Sequence, residues 1–281
     1  MLKDKNIYLI PCLGFLSVIL VGWIVLMLPI CNNGNVTPFN ALFTAVSATC
    51  VNGLTTVNLS TEYSFLGQLA IAIITEIGAI GFVTFISFIL SFKKKRMSLS
   101  ETLLLSSALN DNNYGKLKQR LKEVIKYTIV IQIIGAILLA VDFIPRFGIK
   151  NGIWYSIFHS ITAFCNAGFD IIGDTSLEIF AKNIYLNIVF IILMFLGSIG
   201  YFVIEDIIGA IKKKRFIHIS FHTKIVLTAS LIIYLVSIML LKIAEPNLTW
   251  LEAVFTSVTA RTTGFSTINM AGTLPITKLI I

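Results

Sequence analysis

The chain has 281 residues, of which 56% are hydrophobic and 13% are charged, and its mean hydropathy is +0.89. Soluble domains carry about 25% charged residues, so this composition favours an integral membrane protein over a water-soluble globule. The net charge of +8 does not indicate nucleic-acid binding, because the basic residues stand in short clusters beside apolar runs, as membrane topology requires.

Five apolar runs are predicted to be membrane-spanning helices. At about 1.5 Å per residue the first would reach about 36 Å, which exceeds the roughly 30 Å of a hydrocarbon core. The third is predicted to end at Pro145, because proline disrupts a helix interior. In chain order the runs are Ile7 to Ile30, Phe65 to Phe92, Val124 to Ile144, Ile184 to Ile211 and Ile225 to Ile243.

Basic clusters predict the orientation of these runs. The second and fourth runs end in the KKKR clusters Lys93–Arg96 and Lys212–Arg215, and Lys3 and Lys5 precede the first run. Because lysine and arginine are enriched in cytoplasmic loops, the amino terminus, both clusters and the polar linker 97–123 are predicted to be cytoplasmic. The chain is then a multi-pass protein of the cell membrane that contacts lipid.

Three short stretches between the runs repeat one pattern, a short amphipathic helix followed by a glycine. A phenylalanine in each helix precedes that glycine by ten, ten and nine residues. We call the end of each stretch a glycine segment: TCVNGL at 49–54, FCNAGF at 164–169 and ARTTGF at 260–265. This periodicity predicts a first repeat at 1–96, a linker at 97–123, a second repeat at 124–215 and a partial third repeat at 216–281.

The glycine segments have features that a cation path requires. Backbone carbonyls can replace the hydration shell of a cation, and glycine permits the backbone angles that point successive carbonyls in one direction. A short helix that enters from outside also directs its partly negative C-terminal end inward. Re-entrant loops that only pack the helix bundle are the structural alternative, although three glycines at matching positions are hard to explain by packing alone.

These residues resemble the Trk/Ktr/HKT potassium-transporter superfamily, and most of all the membrane subunit of bacterial Ktr-type uptake systems. The resemblance rests on the three glycine segments and on the stretches EIGAIGF at 76–82 and GSIGYFVIED at 197–206. It implies an all-α polytopic membrane protein with repeated units around a pseudo-fourfold pore. The implied activity is potassium uptake across the cell membrane, with this chain as the ion-translocating subunit and with sodium as the alternative ion.

The same resemblance implies partners and a set of binding residues. A homodimer and a cytoplasmic ring of nucleotide-binding regulatory subunits are expected, whereas neither a cofactor in this chain nor an enzymatic activity is expected. Backbone carbonyls of the glycine segments would coordinate the transported potassium ion. The implicated residues are Thr49, Cys50, Val51, Asn52, Gly53, Phe164, Cys165, Asn166, Ala167, Gly168, Ala260, Arg261, Thr262, Thr263 and Gly264.

Several residues are not expected simply to line an ion pore, or differ from the pattern of the family. We expect Arg261 to offer only its carbonyl, with its side chain directed behind the segment toward an outer acidic group. Glu76 stands where the family usually has an uncharged glutamine, and Asn52 stands where threonine is common. Glu76 is expected to be either a structural or pore-lining residue or a protonated packing residue. His159 is expected to pack or form a hydrogen bond rather than take part in catalysis.

The chain contains two and a half of the repeats that the resemblance implies. We expect a fragment or truncated product, with a complementing second polypeptide as the alternative. The inner span of the third repeat, where the family has its gate, is missing. A purely structural membrane subunit is a further alternative, whereas an intramembrane enzyme is disfavoured because His159, His218 and His222 are scattered along the chain.

Overall fold

The computed structural model describes residues 5–81, 117–173, 175–213 and 219–281. The last part of the predicted second span, the first KKKR cluster, the end of the second cluster and most of the predicted linker lie outside these residues. The chain forms two compact units, Met1–Ile133 and Ile134–Ile281. The described residues are predominantly helical, as expected for an all-α polytopic membrane protein.

The first unit is built around the predicted first short helix. Its elements are α1 (Lys5–Met27), α2 (Pro38–Thr49), the single turn α3 (Leu59–Glu62), α4 (Phe65–Ile80) and the beginning of α5 (Leu117–Phe164). The short helix is α2, and it packs on α1 and α4 through small residues. Gly22 of α1 lies so close to α4 that an added Cβ would be 2.8 Å from the Ile74 side chain. Contacts between small residues are how helices commonly associate in a membrane.

The second unit contains the other two predicted short helices. Its elements are the rest of α5, α6 (Ile184–Ser198), α7 (Tyr201–Lys213), α8 (Phe221–Ala244), α9 (Trp250–Thr262) and α10 (Pro275–Ile280), with 3₁₀ turns at Glu178–Phe180 and Met270–Gly272. The second short helix is the part of α5 that follows a kink at Gly148, whose φ is +79°. The third short helix is α9.

Side-chain caps explain where several of these helices begin. Thr37 caps α2, Ser64 caps α4 and Asn183 caps α6, each accepting a hydrogen bond from a backbone N–H of the first turn. Thr249 caps α9 in a reciprocal capping box with Glu252. Such caps satisfy backbone donors that the helix leaves unpaired, so the local sequence fixes the start of both predicted short helices that follow a loop.

Two stretches of the described chain are long and apolar enough to span a membrane by themselves, Leu121–Phe164 and Phe221–Ala244. The pair α6 and α7 adds a third if its two bent halves form one span. The described apolar stretches of α1 and α4 are shorter, at Pro11–Met27 and Phe65–Ile80. Among the described residues, two or three of the five predicted spans therefore have the length and hydropathy that crossing a membrane requires.

The structure adds detail to two predicted spans. The fourth span was predicted at Ile184 to Ile211, and two helices cover it, α6 and α7, which meet at 105°; Gly200 at the break has a φ of +82°. The third span was expected to close at Pro145, but α5 includes Pro145 and changes direction at Gly148. In both places a glycine with left-handed backbone, which other residues adopt at a cost, breaks the helix.

Candidate functional site

The second glycine segment ends its short helix in a defined set of backbone hydrogen bonds. The N–H of Ala167 donates to Thr162 O at 2.8 Å, and the N–H of Asn166 donates to Ala163 O at 3.1 Å. This pair of bonds is the Schellman ending, which requires one residue with left-handed backbone. Asn166 is that residue, with a φ of +59°.

The first glycine segment has the same ending with different side chains. The N–H of Asn52 donates to Ser47 O at 2.9 Å, and the N–H of Val51 donates to Ala48 O at 3.3 Å. Val51 adopts the left-handed backbone, with a φ of +55°. The two segments therefore share one backbone structure, which supports the repeat that was predicted from the sequence.

In the third glycine segment, fewer residues separate the end of the short helix from the glycine. Helix α9 continues to Thr262, and the N–H groups of Thr263 and Gly264 both donate to Thr259 O, at 2.8 and 3.1 Å. Gly264 itself takes the left-handed backbone, with a φ of +91°. The helix ends without an extra left-handed residue, which explains why the phenylalanine-to-glycine spacing is nine here and ten elsewhere.

Glycines in the first two segments also have left-handed backbone. The φ angle is +75° at Gly53 and +69° at Gly168. Two left-handed residues therefore occur close together in each segment, and they turn the chain away from the helix axis. The residues that follow Gly168 have no regular secondary structure, as a segment that presents its backbone oxygens would need.

The last carbonyl of the first two short helices contacts a glycine of the following span. A Cβ built on Gly78 of α4 would lie 2.2 Å from Thr49 O, and one built on Gly197 of α6 would lie 1.8 Å from Phe164 O. Phe164 O also accepts a hydrogen bond from the Asn166 side chain. Thr49 and Phe164 were expected to supply ion ligands, but their oxygens are directed at the neighbouring helix.

The second and third glycine segments contact each other directly. The hydroxyl of Thr263 donates to Asn166 Oδ1 at 2.9 Å, and the N–H of Leu177 donates to Ser266 O at 2.9 Å. A Cβ on Gly168 would lie 2.1 Å from Thr263 O. The structure thus brings together two of the predicted sites through one side-chain bridge, one backbone bond and one close backbone approach.

Hydroxyl groups support the residues that follow two of the glycines. Thr162 donates to Phe169 O at 3.2 Å, and the equivalent Thr259 donates to Phe265 O at 2.9 Å. The first short helix has Ser47 at this position, and its hydroxyl is buried with no hydrogen-bond partner among the described residues. Sequence reasoning matched these positions across the repeats but assigned no role to their hydroxyl groups.

The third segment contains Arg261, whose side chain leaves the segment. Its guanidinium donates to Ser230 Oγ at 2.8 Å and to the Tyr234 hydroxyl at 3.2 Å, and it lies over the Tyr234 ring. The side chain is thus directed at α8, and its hydrogen-bond partners are hydroxyl groups rather than the expected acidic group. Ala260, Arg261 and Thr262 belong to the last turn of α9, where a cation complements the helix dipole.

The two cysteines of the candidate site have different surroundings. Cys50 directly follows α2 and is exposed, whereas Cys165 in the equivalent position of the second segment is buried. Both follow the short helix by one residue and keep the same backbone bond to the residue four earlier. Backbone structure is therefore shared at this position although side-chain exposure is not.

Glu76 has a polar partner within the first unit. Gln132 of α5 donates its side-chain amide to Glu76 Oε2 at 2.7 Å. A carboxyl group at membrane depth is costly unless it is paired or protonated, so this contact accounts for part of its stabilisation. The partner favours the structural role among the alternatives expected for Glu76.

A buried histidine lies behind the second segment. His159 Nδ1 is 2.7 Å from Tyr155 O, and its Nε2 is 2.8 Å from Asp170 Oδ1. The ring is completely buried, which agrees with the expected hydrogen-bonding role. Asp170 was not predicted from the sequence to be its partner.

Comparison with known proteins gives one consistent result. The family model TrkH, described as a cation transport protein, matches residues 17–281. The potassium/sodium uptake protein NtpJ of Enterococcus hirae is 38% identical over 268 residues, covering 91% of this chain and 58% of that protein. The Ktr system potassium uptake protein B of Bacillus subtilis is 34% identical over 284 residues, covering 96% of this chain and 63% of that protein.

A solved structure shares the fold. The crystal structure of the potassium transporter TrkH from Vibrio parahaemolyticus matches with a TM-score of 0.70 at 18% identity, covering 100% of this chain and 56% of that one. The chain therefore spans somewhat more than half the length of the relatives it matches. The match of the family model over nearly the whole sequence shows that the chain belongs to the TrkH family of cation transport proteins.

Proposed function

We propose that this protein takes up potassium across the cell membrane as the ion-translocating subunit of a Ktr-type system. Backbone oxygens of the glycine segments select the ion. The names of the relatives from Bacillus subtilis and Enterococcus hirae, both uptake proteins for potassium, support potassium as the substrate.

The observation that carries the proposal is the shared backbone structure of the first two glycine segments. Each short helix ends in the same Schellman bonds, and each is followed by a left-handed glycine, Gly53 or Gly168. A backbone that is this well specified but differs in its side chains suits a site that uses main-chain oxygens.

The positions of the carbonyls refine the set of proposed ligands. Because Thr49 O and Phe164 O contact glycines of the next span, we place the ligands after them, at 50–53 and 165–168. In the third segment the carbonyls of the last turn of α9 point along the helix axis, where they favour a nearby cation through the helix dipole. Thr263 O contacts Gly168 and is excluded by the same criterion, so the direct ligand there is then Gly264.

Growth complementation tests the proposed function. The protein is expressed in a bacterium that lacks its own potassium uptake systems, and growth is measured at limiting potassium. We expect rescue by the wild-type protein and none by the empty vector. Absence of rescue, with normal amounts of the protein in the membrane, would overturn the proposal.

Sodium is the second candidate ion, because the relative from Enterococcus hirae is named for potassium and sodium uptake. Initial uptake rates of rubidium, as a potassium tracer, and of radioactive sodium are compared in the same cells. Potassium selectivity predicts that excess potassium suppresses sodium entry and that excess sodium has little effect on rubidium entry. The opposite competition pattern would identify sodium as the preferred ion.

The proposed assembly is a homodimer that binds a cytoplasmic ring of nucleotide-binding subunits. Two relatives from Bacillus subtilis are named as proteins B and D of Ktr systems, which supports a system of several components. Native mass spectrometry of the detergent-purified protein would detect a dimer. Co-purification with a soluble nucleotide-binding protein encoded nearby would identify the ring, and a monomer without such a partner would contradict the assembly.

A further inference from the structure

His159 faces a hydrogen-bond acceptor at each ring nitrogen. Nδ1 lies 2.7 Å from Tyr155 O, and Nε2 lies 2.8 Å from Asp170 Oδ1. A neutral imidazole donates from one nitrogen only, so both contacts are satisfied only when the His159–Asp170 pair holds an additional proton.

Asp170 connects this histidine to the backbone of the second glycine segment. It follows Gly168 by two residues, and its Oδ1 also accepts a hydrogen bond from the N–H of Ile172 at 3.0 Å. Its Oδ2 is buried without a partner among the described residues. One carboxyl oxygen therefore holds both the short helix and the chain beyond the glycine, and the contact with His159 is the main compensation for burying this group.

The ring of His159 also contacts the third glycine segment. It stacks on Phe265, the residue after Gly264, with a centroid distance of 6.2 Å and an interplanar angle of 29°. The edges of Phe143 and Phe190 enclose it from α5 and α6. The charged or titratable groups on these surfaces are Asp170 and the Tyr155 phenol, which interacts electrostatically with Asp170.

The pair belongs to the second repeat alone among the three short helices. The equivalent residues are Thr44 and Thr256, whose side chains are too short to span the same distance. The Thr44 hydroxyl instead donates to Asn40 O within its own helix. His159 is buried, differs from its counterparts in the other repeats and contacts two glycine segments. These three properties indicate a role that is specific to the second repeat.

We propose that His159 is a positioning residue for ion selection. Through Asp170 it fixes the backbone beyond Gly168, and through Phe265 it fixes the backbone beyond Gly264. This inference rests on the proposed function, because it assumes that the glycine segments discriminate potassium from sodium. Loss of the pair lets both segments relax, and discrimination falls while the protein stays folded.

The test compares four variants in the uptake-deficient bacterium, each scored only at wild-type abundance in the membrane. His159→Phe keeps an aromatic ring and removes both donors. His159→Gln keeps a donor toward Asp170. Asp170→Asn keeps an oxygen that accepts from Ile172, but it removes the carboxylate and places an amide N–H₂ group at the buried Oδ2 position, where no acceptor is described. Thr256→Ser is the matched control at the equivalent position of the third short helix.

The readouts are the apparent KM and maximal rate for rubidium and for sodium. His159→Phe and Asp170→Asn are expected to lower the rubidium-to-sodium ratio of rate over KM by roughly five- to tenfold, as loss of one ordinary hydrogen bond would. His159→Gln is expected to restore most of the ratio, and Thr256→Ser to leave it unchanged. A role in packing alone would lower only the maximal rate.

Wild-type ratios in both His159→Phe and Asp170→Asn would overturn the inference. If His159→Phe fails to reach the membrane, Asp170→Asn alone decides, because it changes a single atom of a side chain. A wild-type protein that transports neither ion would instead refute the proposed function. The two failures are therefore distinguished by the wild-type measurement itself.

Discussion

At the scale of single residues, the first two glycine segments place residues of very different conformational preference in the left-handed backbone region. Asn166 and Val51 both have left-handed backbone, with φ of +59° and +55°. Asparagine adopts this region readily, but a β-branched residue does so only when its surroundings force it. Val51 is therefore held by the Schellman bonds of α2 against its own preference, and such local strain is common near functional sites.

Replacing Val51 by asparagine tests this strain. Val51→Asn is expected to raise the free energy of unfolding by about 1 kcal/mol, because the left-handed penalty is removed. Thermal unfolding of the purified protein in detergent measures the change. Val46→Asn, at an exposed position with helical backbone on α2, is the control and should not stabilise the protein. Destabilisation by Val51→Asn would show that its side-chain contacts outweigh the strain.

Gly168 and Gly264 permit a paired prediction. Both have left-handed backbone, but a Cβ at Gly168 would lie 2.1 Å from Thr263 O whereas one at Gly264 meets nothing within 4 Å. Gly168→Ser is therefore expected to displace the third segment and reduce potassium-over-sodium uptake by about tenfold, equivalent to ~1.4 kcal/mol. Gly264→Ser should have a smaller effect. Equal selectivity in the wild type and in Gly168→Ser would indicate that the segments only pack.

The sequence predicted these glycines because few other residues adopt left-handed backbone without cost. It did not predict the directions of Thr49 O and Phe164 O, since a carbonyl direction depends on where the helix ends and what lies against it. It also did not predict the contact between His159 and Asp170. Their contact depends on the turn at Gly168, which no local pattern describes.

At the scale of elements, α4 and α6 repeat one arrangement. Each has a glycine that contacts the end of a short helix, Gly78 or Gly197, and each ends close to a second glycine three residues later, Gly81 or Gly200. The first glycine lets the helix approach a carbonyl, and the second ends the helix with left-handed backbone. The stretches EIGAIG and GSIG therefore describe a packing site followed by a helix break.

Alanine substitution tests the packing site. Gly78→Ala and Gly197→Ala place a methyl group 2.2 and 1.8 Å from a backbone oxygen, and overpacking of this kind typically costs about 1–3 kcal/mol. Both variants should unfold at lower temperature in detergent and transport more slowly. Gly209→Ala is the control, because a Cβ there meets nothing within 4 Å, and it should be neutral or stabilising by about 0.5–1 kcal/mol. Equal stability of all three variants would refute the close contact.

Hydrophobic patterning located the helices but not the changes in their direction. The apolar run from Ile184 to Ile211 has no charged residue before Glu205, so nothing in its hydropathy marks the bend at Gly200. Pro145 is a stronger signal in isolation than Gly148, yet α5 continues through the proline. Proline removes one hydrogen bond from a helix, whereas a left-handed glycine reverses the path of the backbone.

At the scale of the whole molecule, each compact unit supports its own glycine segments. The first segment ends against α4 within Met1–Ile133, and the second ends against α6 within Ile134–Ile281. Each of these glycine segments is therefore positioned by contacts within its own unit. This independence accounts for the close agreement of the hydrogen bonds in the first two segments despite their different side chains.

The orientation of the chain in the membrane is a further property of the whole molecule that can be tested. The positive-inside rule predicts that Lys150, in the first turn of the second short helix, faces outward. It also predicts that Lys212, at the end of α7, faces the cytoplasm; both side chains are exposed. In a protein whose native cysteines are replaced by serine, an impermeant maleimide should label Lys150→Cys in intact cells and Lys212→Cys only after permeabilisation. The reverse order of labelling would invert the topology. It would also direct the negative ends of the short helices outward, where they could not stabilise an entering cation within the membrane.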